Sequence, residues 1–483
     1  MFTNKLPRVV SGVGLAACLS LLLLPGFGCG RQPENAVPPA PSAQRWDPFL
    51  DTLQAKTLRF FLDVTPRATG LAPDRWPTPA PSSVAAVGFA LTCYPIAAER
   101  RMITRADAAA RVLTTMKFLW NLPQSEHPSG TSGFRGFFYH FIDGRTGERA
   151  WKCELSTIDT GLLLAGVLFC QSYFDGEDAA EDSIRVLADS LYRRVDWNWF
   201  CGDRKGLITA WYPERGFGEH TWKGYNEAFI LYLLALGSPT HPMPDWYMRT
   251  WYDTYKWGSF NGIEHLGFGP LFGHQYSHCW IDFRGIRDRY MWGRGLDYFE
   301  NSRRATYAQR SYGITNPQGF RDYSGEIWGW TACDGPHDTN FVVDGNARGF
   351  YSYRAREVTF DWVEDDGTIA PTAAGGSVAF APEICVPALK AMRDRYGPRL
   401  WREYGFVDAF NPTFRTAPAW PDGWFDKDYL GIDQGPIVIM IENLRSGFVW
   451  ETMKRNTYIV AGLRRAGFGG GWLNLLNTPK EGG

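Results

Sequence analysis

The chain has 483 residues and a formal net charge of −1, which comes from 50 basic and 51 acidic residues. Its 45% hydrophobic and 21% charged residues are typical of a globular protein, and no block of one charge indicates a nucleic-acid partner. The unusual feature is the 16% of aromatic residues. Many tryptophans stand beside Gly, Asp or Arg in apparent loops, where their flat rings could stack on sugars. The alternative is that part of the aromatic residues fill a wide helical core.

Residues 1–29 are predicted to form an export signal of the bacterial lipoprotein type. Lys5 and Arg8 supply positive charge, residues 9–24 supply an apolar stretch, and a small residue precedes Cys29. Cys29 would then become the lipidated first residue of the mature protein. Gly26 departs from this pattern, because Leu is usual at its position, and a single transmembrane anchor is the alternative.

The Pro-rich residues 30–45 are expected to form an extended tether, which leaves residues 46–476 as one folded domain. A signal, a tether and a folded domain in this order predict an exported protein that is lipid-anchored in the periplasm or at the outer membrane. Seven cysteines follow Cys29 without a CxxC spacing, so we interpret them as small buried hydrophobic residues. One disulfide among them stays open as an alternative.

Helical periodicity dominates the folded domain. Amphipathic or fully apolar helices are predicted at 47–63, 83–98, 104–121, 155–174, 180–196, 225–236, 383–396 and 433–454. Strand-like alternation is sparse, with candidates at 207–213, 341–344 and 350–360. Helices with one polar face alternate with helices that are apolar all round, as two concentric rings would require. We therefore predict an all-α fold, an (α/α)6 toroid, in which the long irregular segment 254–378 builds one wall of a carbohydrate cleft.

Glu227 stands at the entrance of an apolar helix, in the stretch WKGYNEAFILYLLAL. A carboxylate at this place is costly to desolvate unless it is paired or used. Burial also raises its pKa, which a general acid working near neutral pH requires. A helix-capping or salt-bridged Glu is the alternative, but the neighbouring rings of Trp222 and Tyr225 favour catalysis.

Two further acidic clusters lie at predicted helix starts. Glu154 and Asp159 flank the first turn of the helix in ELSTIDTG, and Asp433 and Gln434 stand at the start of the C-terminal helix in GIDQGP. Carboxylates near a helix N-terminus also interact favourably with the helix dipole. Capping is therefore the alternative to a catalytic role for these residues.

His274 and His278 are four residues apart, a spacing found in helical metal sites. No Glu stands between them in the metalloprotease pattern. Contacts with sugar hydroxyls, or structural hydrogen bonds, fit the pair better, and we expect no metal and no cofactor.

Carboxylates and aromatic rings without a metal are the requirements of glycoside cleavage. One carboxylic acid protonates the departing oxygen, and a second carboxylate activates water or attacks the sugar. Other chemistries fit less well, because the sequence has no GxSxG elbow, no Gly-rich phosphate loop and no GxGxxG motif opening a helix.

Seven stretches follow one another in a fixed order, namely ELSTIDTGLLLAGVLF, GYNEAFILYLLALGSPTHP, LFGHQYSHCWIDFRG, FENSRRATYAQR, GEIWGWTACDGP, TIAPTAAGGSVAFAPE and YLGIDQGPIVIMIENLRSG. In this order they resemble the bacterial glucoamylase-like family. That family includes endo-β-1,2-glucanases, and the glucan-trimming region of cyclic β-1,2-glucan synthases is similar to it. The resemblance covers roughly residues 46–470.

The resemblance implies an (α/α)6 barrel that hydrolyses β-1,2-linked glucan to short oligosaccharides with inversion. It implies Glu227 as the general acid, with Glu154 or Asp433, ahead of Asp159, as the base. The residues expected to bind sugar are Trp222, Tyr225, Asn226, His278, Trp280, Arg284, Glu326, Trp328, Trp330 and Gln434. Endo or exo action and the stereochemical outcome stay open.

Three other interpretations remain. The protein could be an exo-acting or glucoamylase-type glucosidase on other glucans, or a surface glycan-binding lipoprotein without catalysis. A polysaccharide lyase using Arg303, Arg304 and Tyr307 is the third. The balanced charge and the complete set of motif carboxylates favour a hydrolase, whose partner would be a glucan polysaccharide or oligosaccharide. We expect a monomer that meets the membrane only through its lipid.

Overall fold

The computed structural model describes residues 37–38, 46–416 and 418–476. The predicted signal, Cys29 and most of the predicted tether lie outside the described residues. The α-helices are α1 (Phe49–Val64), α2 (Val84–Glu99), α3 (Arg105–Asn121), α4 (Thr157–Tyr173), α5 (Ala179–Arg193), α6 (Trp197–Cys201), α7 (Phe229–Gly237), α8 (Tyr247–Asp253), α9 (Phe272–Trp280), α10 (Arg289–Arg294), α11 (Tyr298–Thr315), α12 (Pro371–Gly375), α13 (Pro382–Tyr396), α14 (Gly431–Ser446), α15 (Phe448–Met453), α16 (Thr457–Arg465) and α17 (Gly471–Leu475).

The strands are short and pair in antiparallel fashion. They are β1 (Arg75–Trp76), β2 (Ser82–Ser83), β3 (Gly133–Phe134), β4 (Phe137–Phe138), β5 (Phe141–Ile142), β6 (Leu155–Ser156), β7 (Ala210–Tyr212), β8 (Gly216–Phe217), β9 (Trp257–Phe260), β10 (Ile263–Leu266), β11 (Ala332–Cys333), β12 (Thr339–Val343), β13 (Asn346–Phe350), β14 (Arg354–Ala355), β15 (Glu357–Val358), β16 (Val363–Glu364), β17 (Trp401–Arg402), β18 (Gly405–Phe406), β19 (Phe410–Asn411), β20 (Trp424–Phe425) and β21 (Tyr429–Leu430). Most of them brace the loops that precede helices, as β6 does for α4 and β21 for α14.

The helices α2, α4, α7, α9, α12 and α14 are buried on nearly all sides. Each packs against the next in this series, α9 meets α12 through hydrogen bonds, and α14 packs back onto α2. The contact between α2 and α4 depends on glycine, because a Cβ on Gly88 would lie 2.3 Å from the carbonyl oxygen of Leu162. The helices α1, α3, α5, α11, α13 and α16 pack on the outside of the series. The sequence pattern of apolar and amphipathic helices is the direct consequence of these two layers.

The helices predicted from periodicity are confirmed to within a few residues at most ends. The apolar stretch 225–236 is helical only from Phe229, and 433–454 is two helices, because Gly447 adopts φ +67° and ends α14. An all-α class is too strict, since the hairpin of β12 and β13 and many shorter strand pairs accompany the helices.

The prediction that 254–378 is irregular is wrong for α11, a helix of 18 residues. Its periodicity is masked because the buried face carries polar side chains. Asn301 accepts from the amide of Leu266 (2.7 Å), and Gln309 donates to the carbonyl of Trp330 (2.8 Å). These internal hydrogen bonds allow polar side chains to occupy positions where a sequence pattern expects apolar ones.

The seven cysteines of the described ranges are free thiols, six of them buried and Cys153 half-buried. This agrees with their interpretation as small core residues. In the part of the chain that the structure describes, none of the helices combines the length and apolarity that crossing a membrane requires.

Candidate active site

Glu227 lies in the turn that leads into α7, and both neighbouring elements fix its backbone. The side chain of Asn226 closes this turn, because its Oδ1 accepts from the amide of Ala228 and its Nδ2 donates to the carbonyl of Lys223, both at 3.0 Å. Ser277 of α9 accepts from the amide of Ile230 (2.9 Å). The entrance of α7 is therefore held rigidly, as a catalytic carboxyl requires.

Glu227 as a whole is half-buried, whereas its carboxyl Oε2 is buried and has no hydrogen-bond partner among the described residues. Desolvation raises its pKa to about 7, and repulsion from Asp159 and Glu357 adds to this effect. A substantial fraction of Glu227 is therefore protonated near neutral pH. This is the state in which a carboxyl group can donate a proton to a leaving oxygen.

A second group of the site consists of His140, Glu154 and Asp159. His140 Nδ1 lies 2.9 Å from Glu154 Oε1, and its Nε2 lies 3.5 Å from Asp159 Oδ1. Burial opposes a charge on His140, but the two carboxylates outweigh burial and raise its pKa to about 9. Asp159 also accepts from the hydroxyl of Ser156 (2.5 Å), the residue that caps α4. The group is an imidazolium held between two carboxylates.

Asp433, in the first turn of α14, faces Asp408. No nitrogen or hydroxyl donor of the described residues reaches Asp408 Oδ1 or Asp433 Oδ2, although both atoms are buried. Desolvation, with repulsion from Asp433, raises the pKa of Asp408 well above its usual range, so Asp408 carries a proton. The pKa of Asp433 is raised by desolvation to about 7, and its hydrogen bond with Asp408 opposes that rise. Asp433 is thus the partner that ionises first.

The three groups belong to one electrostatic site. The charges of both Glu227 and Asp433 act on the buried phenol of Tyr276, which raises its pKa beyond the effect of burial. The charge of Asp74 acts on both His140 and Asp433. The charges of residues that are far apart in the sequence therefore act on common neighbours, while one shared catalytic site stays a prediction.

Two open cavities are lined by residues close in sequence to these groups, although none of Glu227, Glu154, Asp159, Asp408 and Asp433 is among their lining residues. The first, of 460 Å³, is lined by Tyr225, Asn226, Glu357 and the exposed Trp362, among others. The second, of 540 Å³, is lined by Arg75, Trp76, Asp143 and the exposed Trp151, among others. Both combine indole faces with charged side chains, which is the lining that a polyhydroxylated ring requires.

The predicted residues beside Glu227 are placed at the site. Trp222 is half-buried and donates from Nε1 to the hydroxyl of Thr157 (2.9 Å), at the start of α4. Tyr225 and Asn226 line the first cavity, although little of either is exposed. Their contacts with sugar stay predictions.

Direct sugar contact is wrong for a group of predicted residues that the structure buries completely. They are His278, Trp280, Trp328, Trp330 and Gln434, each at most 1% exposed. His278 lies 3.1 Å from Ser302, and burial lowers its pKa to about 3. Trp280 stacks on Phe89 and donates to Thr92 (2.9 Å). Rings of this size pack in the core as well as in clefts, so composition alone does not separate the two places.

Arg284 and Glu326 are exposed in part but lie away from the site. Arg284 follows the far end of α9, where it forms a two-pronged ion pair with Asp282 (2.7 and 2.8 Å) and stacks on Trp450. Glu326 is exposed on the loop after α11 and lines neither cavity. His274 is fully buried, and neither of its ring nitrogens has a hydrogen-bond partner among the described residues.

Several charged residues of the site were not predicted from the sequence. They are Asp74, Arg75, His140, Glu357 and Asp408. The sequence contains one signal for these residues, which is the isolated His140 in the aromatic run GFFYHF. The others stand in stretches with no pattern of their own. Tertiary structure places Arg75 and Glu357 in the cavity walls, and it places Asp74 and Asp408 where they act on Asp433.

The sequence profile of the Glycoamylase family matches residues 219–457 of the chain. A glucoamylase-like protein of known crystal structure from Bacteroides uniformis is 31% identical and superimposes with a TM-score of 0.76, covering 89% of this chain and 99% of that one. The endo-β-1,2-glucanase from Chitinophaga pinensis, in complex with sophorotriose and glucose, is 26% identical with a TM-score of 0.75, covering 88% and 99%.

A curated relative, the exo-β-1,2-glucooligosaccharide sophorohydrolase (non-reducing end) of Parabacteroides distasonis, is 28% identical over 451 residues. The match covers 86% of this chain but 57% of the relative, so the chain spans little more than half the length of that protein. Identity, coverage and the matched profile agree with the motifs found in the sequence. The chain belongs to the glucoamylase-like family.

Proposed function

We propose that this protein is a glycoside hydrolase that cleaves β-1,2-linked glucan to short oligosaccharides. The observation that carries the proposal is the carboxyl of Glu227, whose pKa is raised by desolvation to about 7 and whose buried Oε2 lacks a partner in the described ranges. The residues just before it, Tyr225 and Asn226, line a cavity that also carries an indole ring and charged side chains. The β-1,2-glucan substrates named for the relatives from C. pinensis and P. distasonis support the choice of linkage.

In this proposal Glu227 is the general acid and Asp433 the general base of an inverting reaction. Glu227 donates its proton to the departing glycosidic oxygen, while Asp433 takes a proton from the water that attacks the anomeric carbon. Asp433 suits the base better than Glu154, because the imidazolium of His140 outweighs burial and lowers the pKa of Glu154. A carboxylate with a lowered pKa is a weak base, whereas that of Asp433 is raised to about 7.

The test is incubation of the purified chain with linear β-1,2-glucan, with an α-1,4-glucan as the matched control substrate. We expect a ladder of short β-1,2-oligosaccharides and no cleavage of the control. Early accumulation of a disaccharide alone would assign exo action instead. Cleavage of the α-glucan would favour a glucoamylase-type enzyme, and binding without cleavage a glycan-binding protein. Proton NMR of the first products would show the α-anomer if inversion is correct.

We also propose that α2, α4, α7, α9, α12 and α14 are the inner helices of an (α/α)6 toroid. The sequential packing of these helices and the return of α14 onto α2 support it. An experimental structure in which α14 and α2 do not adjoin would contradict the closed ring.

Export and lipid anchoring at Cys29 remain a proposal that rests on the sequence. Expression of the whole chain and of Cys29→Ser, followed by detergent phase partitioning, tests it. We expect the parent in the detergent phase and the variant in the aqueous phase. Equal partitioning of both proteins would contradict a lipid on Cys29.

A further inference from the structure

A cluster of aspartates lies behind Asp433, on segments that are distant in the sequence. One carboxylate oxygen from each of Asp334, Asp426 and Asp428 lies within 4.8 Å of the other two. All three residues are at most 9% exposed. Two oxygens on opposite sides of a calcium ion, each about 2.4 Å from it, are about 4.8 Å apart, so one ion fits between the three carboxylates.

The hydrogen bonds of the cluster leave one buried oxygen without a donor. Asp426 Oδ1 accepts from the amides of Lys427 (2.7 Å) and Asp428 (3.2 Å), whereas its Oδ2 has no partner in the described part of the chain. Asp426 is 6% exposed. An unpaired carboxylate oxygen in such a place is strongly unfavourable unless a cation or a proton binds to it.

The nearby positive charge is too small for the cluster. Arg75 donates to Asp334 (2.6 Å) but also pairs with Asp74 (3.0 Å). The backbone amide of Thr78 donates to Asp428 Oδ1 (2.9 Å), which adds no charge. One guanidinium, shared with Asp74, therefore faces the three carboxylates.

Further oxygens are available around the three carboxylates. The amide of Thr78 binds Asp428, and the hydroxyl of the same Thr78 is buried without a partner among the described residues. Oxygen ligands alone, several carboxylates and an irregular arrangement of loops suit calcium, which accepts six to eight oxygens in flexible geometry. Magnesium requires a near-ideal octahedron at shorter distances, and transition metals prefer nitrogen or sulfur.

We propose that Asp334, Asp426 and Asp428 bind one calcium ion. The ion would join the segment after β1, the end of β11 and the segment between β20 and β21. It would also lie next to Asp408, because the amide of Asp334 donates to Asp408 Oδ2 (2.7 Å). The bound ion would hold in place the carboxyl that faces Asp433. Any effect on hydrolysis depends on the proposed function, whereas binding and stability do not.

The test uses the full chain, stripped of metal by dialysis against a chelator. Thermal melts are recorded in EDTA, in millimolar calcium and in millimolar magnesium, with calcium titration by calorimetry. We expect one calcium site and a rise in Tm on the order of 5 °C with calcium, and a clearly smaller rise with magnesium. Equal melting in EDTA and calcium, with no heat of binding, would overturn the site. Equal responses to both cations would overturn the assignment to calcium.

Asp426→Asn has nearly the size of the parent side chain and mimics its protonated form. We expect calcium affinity to fall roughly 10-fold or more, with the calcium-dependent rise in Tm lost. Asp422→Asn is the matched control, because Asp422 is exposed just before β20, four residues ahead of Asp426, and it should respond as the parent does. A full calcium response in Asp426→Asn would contradict the proposal. Asp428→Asn replaces it in the test if circular dichroism shows that Asp426→Asn does not fold.

Discussion

Glu227 and Glu154 are both half-buried glutamates of the candidate site, but the charged groups beside them have opposite signs. Desolvation raises the pKa of Glu227 to about 7, and the negative charges of Asp159 and Glu357 add to this rise. Burial also acts to raise the pKa of Glu154, but the hydrogen bond and the charge of His140 outweigh burial and lower that pKa. One carboxyl holds its proton near neutral pH, and the other is a permanent anion.

The difference shows that placement near a cavity does not assign a catalytic role. Both residues precede an apolar inner helix, and both belong to collinear family motifs. A cation 2.9 Å from Glu154 turns that residue into a structural and electrostatic element, whereas Glu227 Oε2 has no donor in the described part of the chain and is free for proton transfer. The following predictions test this contrast from the largest effect to the smallest.

Replacing the proton donor should have the largest effect. We expect Glu227→Gln to lower kcat on β-1,2-glucan by about 10²- to 10⁴-fold, because an amide cannot donate the proton. Glucan affinity, measured by calorimetry, should stay near that of the parent. Glu326→Gln is the matched control, since this glutamate is exposed away from the site and should retain full activity. Near-parent activity of Glu227→Gln would show that another group is the acid.

Two variants distinguish the proposed base from its rival. Asp433→Asn should lose about 10²- to 10⁴-fold in kcat because the amide cannot accept a proton from water. Glu154→Gln should lose about 10-fold through altered positioning of His140. The measurement is kcat with β-1,2-glucan at pH 7 for both proteins. If the two losses are reversed in size, Glu154 is the base and the assignment of Asp433 is wrong.

The dependence of kcat/KM on pH should be bell-shaped, with a maximum near pH 7. Above about pH 7 Glu227 loses the proton that it must donate, so activity falls about tenfold per pH unit. Below about pH 7 Asp433 takes up a proton and can no longer act as base, which lowers activity on the acid side. Activity that stays constant from pH 7 to 9 would contradict Glu227 as the acid.

The same carboxyl should affect stability. The pKa of Glu227 rises on folding from the ordinary value of 4.5 to about 7. Its contribution to stability is therefore complete below about pH 4.5 and is lost as the pH rises through about 7. Glu227→Gln, which mimics the protonated form, should unfold at pH 8 with a free energy up to about 3 kcal/mol larger than that of the parent. Urea titrations at pH 4 and pH 8 measure this, and an equal difference at both values would contradict the desolvation of Glu227.

The sequence predicted the helical architecture because burial on two layers leaves periodic signals. The fully apolar α2 and α4 and the amphipathic α5 that packs outside them are examples. The sequence missed α11, whose buried Asn301 and Gln309 are satisfied by partners far away in the chain. Hydrogen bonds of that kind have no local signature.

The sequence singled out carboxyls whose catalytic roles stay predictions, whereas several of its sugar contacts are wrong. Glu227 and Asp433 both have a pKa raised by desolvation to about 7. Trp280 and Trp328 are buried in the core, because large indole rings fill cores as well as clefts and the sequence does not separate the two places. His140 and Asp408, which set the pKa values of the carboxyls, became visible only through tertiary contacts.

The smallest expected effect concerns the exposed rings of the second cavity. Trp151 is 67% exposed and borders the cavity beside Arg75, at 5.0 Å from the ring of Phe141. Stacking of one sugar on an indole contributes about 1 kcal/mol, so Trp151→Ala should raise KM for β-1,2-glucan roughly 3- to 10-fold and leave kcat unchanged. Trp246→Ala is the control, because Trp246 is 51% exposed but lines neither cavity. Equal KM values for both variants would place the glucan outside the second cavity. A fall in kcat with unchanged KM would instead mean that Trp151 acts on the carboxyls, through the loop that carries Glu154.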